Sequence, residues 1–197
     1  MSIMDDVEVG MSLTDFLQES QQQPFEWING EKKIKMATTA GHSEIIRALH
    51  RPLDAHCYHH KLGNVFIETT FILPNTYNRN WVLGSFIPDM MFFSASRLQA
   101  YKSDNPDWRT RPYALVPDWI LEVISPNDTV GDLDSKINAY LEADVRLIWT
   151  VYLQTQKAIV YSPHQAQPLH LSPNDLLDGG TVLGDFRMTL KELFTGE

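Results

Sequence analysis

Apolar positions along this chain change period several times, and the changes delimit elements. Phe25-Glu26-Trp27-Ile28 and the run from Glu31 to Met36 flank Asn29-Gly30, the dipeptide that favours a two-residue hairpin turn. Ile45, Ile46, Leu49 and Leu53 follow helical spacing after Gly41-His42-Ser43-Glu44, with Pro52 complicating the end of that helix. Residues 64–73, 83–93 and 119–124 read as strands, and polar residues 102–111 read as a long loop between the last two. Leu133, Ile137, Tyr140 and Leu141 predict a helix over about residues 132–143, followed by strands at 147–153 and 158–162. Ser12, with Asp15 three residues on, predicts a short capped helix ended by Gln23-Pro24, and a small helix is expected near residues 190–194. The order helix, strand, strand, strand, helix, strand, preceded by a hairpin, describes an α/β fold. It is divided into an amino-terminal helix and linker (1–24) and one domain (25–197).

Two charges interrupt this pattern. Trp119-Ile120-Leu121-Glu122-Val123-Ile124 is a buried strand but for Glu122, and a buried carboxylate must be paired, metal-bound or protonated. Both faces of the strand are otherwise apolar, as in a central strand covered on two sides. Asp89 interrupts the apolar run 84–93 just after Pro88, where it is either a turn residue at a strand start or a second carboxylate beside Glu122. Lys136 lies with Leu133, Ile137 and Tyr140 on or beside the inward stripe of its helix. It either snorkels to solvent or faces the carboxylates, where its ammonium would polarise a water and stabilise developing negative charge.

Composition narrows the choices. With 197 residues and 43% hydrophobic content the chain suits a single core. No apolar run is long enough for a membrane span, and the start lacks the order of a signal peptide, so a cytoplasmic protein is expected. Cys57 is the only cysteine, which rules out an intrachain disulfide and a multi-thiolate zinc site. The formal charge of −9 argues against an overall basic nucleic-acid-binding face, although acids gathered in a metal pocket contribute to it. His56-Cys57-Tyr58-His59-His60 is too crowded for a defined zinc site and reads as a helix end. There is no glycine-rich phosphate loop, nucleophile elbow or dinucleotide fingerprint.

Pro88-Asp89, Glu122-Val123-Ile124 and the helical Lys136, in that order of elements, resemble the PD-(D/E)XK nuclease superfamily and its restriction-endonuclease-like mixed sheet. More closely, residues 117–126, the stretch Asp132-Leu133-Asp134-Ser135-Lys136 with Tyr140, the segment 25–31 and His42 resemble the Uma-type group of bacterial restriction-endonuclease-like proteins. The resemblance implies hydrolysis of DNA with Mg²⁺, for which Mn²⁺ can substitute, held by Asp89, Glu122 and the Val123 carbonyl. The superfamily places its lysine two residues after the strand acid; here that position is Ile124, and Lys136 would take the role from the next helix. Glu26 is a further catalytic candidate, or else a solvated strand residue. His42 either approaches the phosphate or metal or caps its helix, and Arg109 and Arg111, beside Trp108, either grip substrate phosphate or lie in an exposed loop. Cutting both strands favours a homodimer. The alternative is a nuclease fold kept as a binding module with weak or lost chemistry, which Ile124 and the acidic charge favour.

Overall fold

The computed structural model describes residues 10–126, 128–163 and 165–196, so the first nine residues of the expected amino-terminal segment lie outside the described residues. Strand β1 (Met11–Ser12), helix α1 (Leu13–Gln22) and the hairpin β2 (Phe25–Ile28) and β3 (Glu31–Ile34) come first, followed by the long helix α2 (Ala40–His59). Next are β4 (Gly63–Ile67), three short strands β5 (Phe71–Ile72), β6 (Trp81–Val82) and β7 (Ser85–Phe86), and β8 (Met90–Ser94). Helix α3 (Ala95–Asp104) and a 3₁₀ turn (Trp108–Thr110) precede β9 (Trp119–Ile124), α4 (Val130–Glu142), β10 (Leu147–Tyr152) and β11 (Lys157–Tyr161). Three short strands, β12 (Leu169–Leu171), β13 (Leu176–Asp178) and β14 (Arg187–Thr189), lead to α5 (Leu190–Thr195).

Six strands form the main sheet in the order β12-β11-β10-β9-β8-β4. Among the described strands of this sheet only β9 and β10 run parallel, and α4 is the crossover that parallel neighbours require. A second sheet has the order β3-β2-β7-β5. Alternation along β9 sends Trp119, Leu121 and Val123 to a core shared with Leu49, Leu53 and Trp149. Ile120 faces the opposite core with Ile137, Tyr140, Phe71 and Phe86, and Glu122 shares its side of the strand. Glu122 is therefore directed toward α4, within a sheet covered on both faces. Helix α1 joins the second sheet, with Phe16 edge-on to Phe25 at 5.2 Å.

Four expected elements differ in the structure. Residues 64–73 make two strands in different sheets, because Glu68 adopts a left-handed conformation (φ 43°) and turns the chain between β4 and β5. Residues 83–93 divide likewise into β7 and β8 at Pro88, which has no N–H to give a ladder. Within the expected loop 102–111, residues 102–104 are the last turn of α3 and 108–110 a 3₁₀ turn, with Leu98 and Tyr101 just upstream as the buried anchors of a mostly polar helix. Helix α2 runs through Pro52, since fully buried Leu53 and Cys57 hold its last turns on the core. At its end His56 Nε2 lies 3.0 Å from the Leu183 carbonyl and 2.9 Å from that of Gly184. Among the described residues no helix is long and apolar enough to cross a membrane.

Gly63 marks a close approach: a Cβ there would stand 2.0 Å from the Phe93 carbonyl and 2.9 Å from the Phe92 ring. Gly63→Ala is expected to cost about 2–3 kcal/mol, readable as a lower urea midpoint with an unchanged slope. A midpoint equal to that of the parent would show that β4 shifts freely away from β8.

Candidate active site

The chain passes from the second sheet to the main one at Ile87-Pro88-Asp89, and acids from both sheets meet at that crossing. The Asn29-Gly30 turn sets Glu26 opposite Lys33 in the hairpin, and the Glu26 carboxylate accepts from the Ile87 N–H at 2.7 Å. Asp89 stands immediately before β8, where its Oδ2 accepts from the Val123 N–H of β9 at 2.7 Å. Glu122, beside Val123, accepts on Oε1 from the Tyr140 hydroxyl of α4 at 2.7 Å. One turn earlier on α4, Lys136 Nζ lies 2.9 Å from both Glu26 Oε1 and Glu122 Oε1. The i, i+4 spacing places Lys136 and Tyr140 together, so a single helix face delivers both donors to Glu122.

Two further groups close on Asp89. His42, in the first turn of α2, lies with Nε2 3.0 Å from Oδ2. An ionised carboxylate can only accept, so Nε2 carries the hydrogen. Thr39, and not His42, provides the helix cap, which leaves the imidazole free for the acid; its Nδ1 is buried with no partner among the described residues. Lys35, just past β3, lies with Nζ 3.0 Å from Asp89 Oδ1 and donates to the Ile87 carbonyl at 3.1 Å. Asp89 is 2% exposed, Glu122 5% and Glu26 7%. Three carboxylates and two ammonium groups thus form one buried network.

Burial and charge act in opposite directions here. Burial works against ionisation of Asp89, but the His42 contact and the charge of Lys35 outweigh it and hold this carboxyl well below the usual carboxylate range. Burial pushes Glu122 up to about 7; Lys136 opposes the rise, and the charges of Asp89 and Glu26 add to it. Burial also disfavours the Lys136 ammonium, yet Glu122 and Glu26 overcome this and hold its pKa above the ordinary lysine value. Tyr140 is raised well above its usual value, first by burial and then by Glu122, so it remains a donor.

Other candidates have different surroundings. Arg111 binds Asp107 and the Arg79 carbonyl, and the Arg109 guanidinium lies over the Trp108 ring at 4.5 Å. Asp118, at the other end of β9, is fully buried and paired with Arg97 at 2.8 Å and Arg146 at 3.3 Å, both of which reach solvent. It also accepts from the Ser94 N–H, as a structural acid does. Lys35 is the member of the cluster that sequence reasoning missed. The signal for it was the hairpin register: opposite residues share a face, so Lys33 lies on the Glu26 side, and Lys35, two residues on, follows it.

Among the described residues no group of three or more His, Cys, Asp or Glu is arranged to hold a metal ion. Magnesium does not require such a cage, since one or two carboxylates with water and substrate phosphate commonly suffice. Asp89 and Glu122 supply the hard oxygen donors this chemistry needs. The upward push that Asp89 and Glu26 exert on Glu122 is a repulsion that added positive charge relieves. The donor set therefore fits a divalent cation.

The model of the Uma2 family, described as a putative restriction endonuclease, matches residues 13–191. The chain belongs to the Uma2 family. A crystal structure of a putative nuclease belonging to DUF820, from Anabaena variabilis ATCC 29413, is similar at a TM-score of 0.75 and 20% identity. The similarity covers 94% of this chain and 98% of that one, and it shows that this Uma2 protein has the nuclease-like mixed α/β fold. Nothing matches among the curated proteins.

Proposed function

We propose that this Uma2 protein is a magnesium-dependent endonuclease that hydrolyses phosphodiester bonds of DNA. The observation that carries this reading is the buried network of Glu26, Asp89 and Glu122 with Lys35 and Lys136, at the meeting of the two sheets. Membership of the Uma2 family supports the same reaction class.

Asp89, Glu122 and the Val123 carbonyl would hold Mg²⁺, with Mn²⁺ as a substitute. When bound, the ion would lower the pKa of a coordinated water and neutralise charge on the scissile phosphate. The protein's own groups set the stage for it. His42 and the Val123 N–H fix the orientation of Asp89, while Tyr140 and Lys136 fix that of Glu122. Lys136 keeps Glu26 and Glu122 together despite their repulsion and faces the place where negative charge develops as water adds to phosphorus. Water and the diester give a phosphate monoester and a free hydroxyl. In this reading Arg109 contacts DNA outside the cluster, while Arg111, 8% exposed and bound to Asp107, braces its loop, and cutting both strands uses a two-fold dimer.

The competing reading is a binding module. It draws on Asp89, whose two oxygens are already engaged by Lys35, His42 and the Val123 N–H. Incubation with duplex, single-stranded and structured DNA separates the two. The nuclease reading expects cuts that need Mg²⁺ or Mn²⁺ and stop with chelator; binding with no cuts under any of these conditions favours the module.

Glu122 also predicts a pH dependence. Metal takes the ionised carboxylate, so the apparent Mn²⁺ affinity should fall as pH drops below about 7, by up to about tenfold per unit, with proton release on binding. Calorimetry in buffers of different ionisation enthalpy measures both quantities, and a pH-independent affinity would show that Glu122 carries no proton to release in this range. In the metal-free protein the raised pKa acts on stability. Between about pH 4.5 and 7 the folded state keeps a proton that the unfolded chain has released. That contribution to stability is fully present below the window and is lost as pH rises through it.

A further inference from the structure

We propose that Lys35 is the resident counter-ion of the metal site: it neutralises Asp89 while no divalent cation is bound, yields that position when one binds, and then contacts a phosphate oxygen of the substrate. The proposal rests on the metal-dependent reading above and adds a residue and an order of events to it. Lys35 Nζ holds Asp89 Oδ1 at 3.0 Å, while Oδ2 is taken by the Val123 N–H and His42. Among the described residues Oδ1 has Lys35 as its one partner, so a cation shared by Asp89 and Glu122 would meet Lys35 there, two positive charges competing for one oxygen.

Lys35 is also the lysine built to move. Its side chain is 21% exposed, against 11% for Lys136, which is held between two carboxylates deeper in the cluster. Strand β3 ends at Ile34, and residues 36–39 are exposed and without regular structure. The Lys35 backbone N–H stays tied to the Pro24 carbonyl at 3.0 Å, so the base of the side chain is fixed while the rest of it is partly exposed. An ammonium has three donors; two go to Asp89 and the Ile87 carbonyl. Once a divalent ion neutralises Asp89, the attraction holding Lys35 there weakens, and the phosphate becomes the nearest strong acceptor.

The test uses the full chain and Mn²⁺ alone, by calorimetry, together with kcat and KM for cutting a DNA duplex. Lys35→Met removes the competing charge, so Mn²⁺ affinity should rise on the order of tenfold while kcat/KM falls by a similar factor or more. Lys35→Arg should keep Mn²⁺ affinity within a few fold of the parent. Lys35→Gln, which retains a donor for Asp89, serves as a second neutral variant should Lys35→Met not fold. Equal or weaker Mn²⁺ binding in the neutral variants, beside a parent that binds Mn²⁺ and cuts DNA, overturns the proposal and leaves the nuclease reading standing. A parent that neither binds Mn²⁺ nor cuts DNA overturns both.

Discussion

Replacing Lys136 with methionine is expected to lower the unfolding free energy by about 3–5 kcal/mol, the cost of breaking a buried ion pair from one side. The side chain is 11% exposed and lies 2.9 Å from both Glu26 and Glu122. Without it, Glu122 keeps the Tyr140 hydroxyl but loses the charge that opposes its desolvation. It would then take up a proton over a wider pH range, so the loss of stability should grow as pH rises. Urea unfolding at neutral and mildly acid pH measures this. Adding Glu122→Gln should return part of the loss, because the two side chains form one network. A loss below about 1 kcal/mol would mean that water or Lys35 replaces the ammonium, and that Lys136 does not hold the cluster together.

The largest effect on activity is expected from Glu122→Gln. The amide keeps the shape of the side chain and an acceptor for Tyr140, but it is a poor ligand for a hard cation. Cleavage should fall by about 10³-fold or more, the scale on which losing charge stabilisation at a reacting centre is felt. Stability should stay within about 1 kcal/mol of the parent at neutral pH, since the substitution removes a carboxylate whose burial is itself costly. Loss of activity together with loss of folding would point instead to a structural acid of the kind that Asp118 represents.

The parts of this site visible in the sequence were those where one residue broke a strong local pattern. Glu122 is one charge in an apolar run, and Lys136 lies on or beside the inward stripe of a helix, so period marked both residues while leaving open whether the lysine faces the acid. The long-range parts were less visible. Pro88 was legible as a bend, but nothing local says that the strands on its two sides enter different sheets. Residues 102–111 were read as one loop because they are polar, whereas the anchors that hold the last turn of α3 there, Leu98 and Tyr101, lie just upstream. Glu26 stood between solvated and catalytic readings until the second sheet folded over it. Lys35 went unread because it lies one residue past β3; the hairpin register puts it on the Glu26 side, but nothing local places Asp89 on that side as well.

The proposed function requires that Asp89 and Glu122 hold a divalent cation. Crystals of the protein grown or soaked with Mn²⁺, with anomalous scattering recorded at the manganese edge, test it most directly. One strong peak is expected between the two carboxylates, with Lys35 withdrawn from Asp89, and no peak there in Glu122→Gln. A parent structure with no peak at Asp89 and Glu122, and with Lys35 still on Asp89, would contradict it.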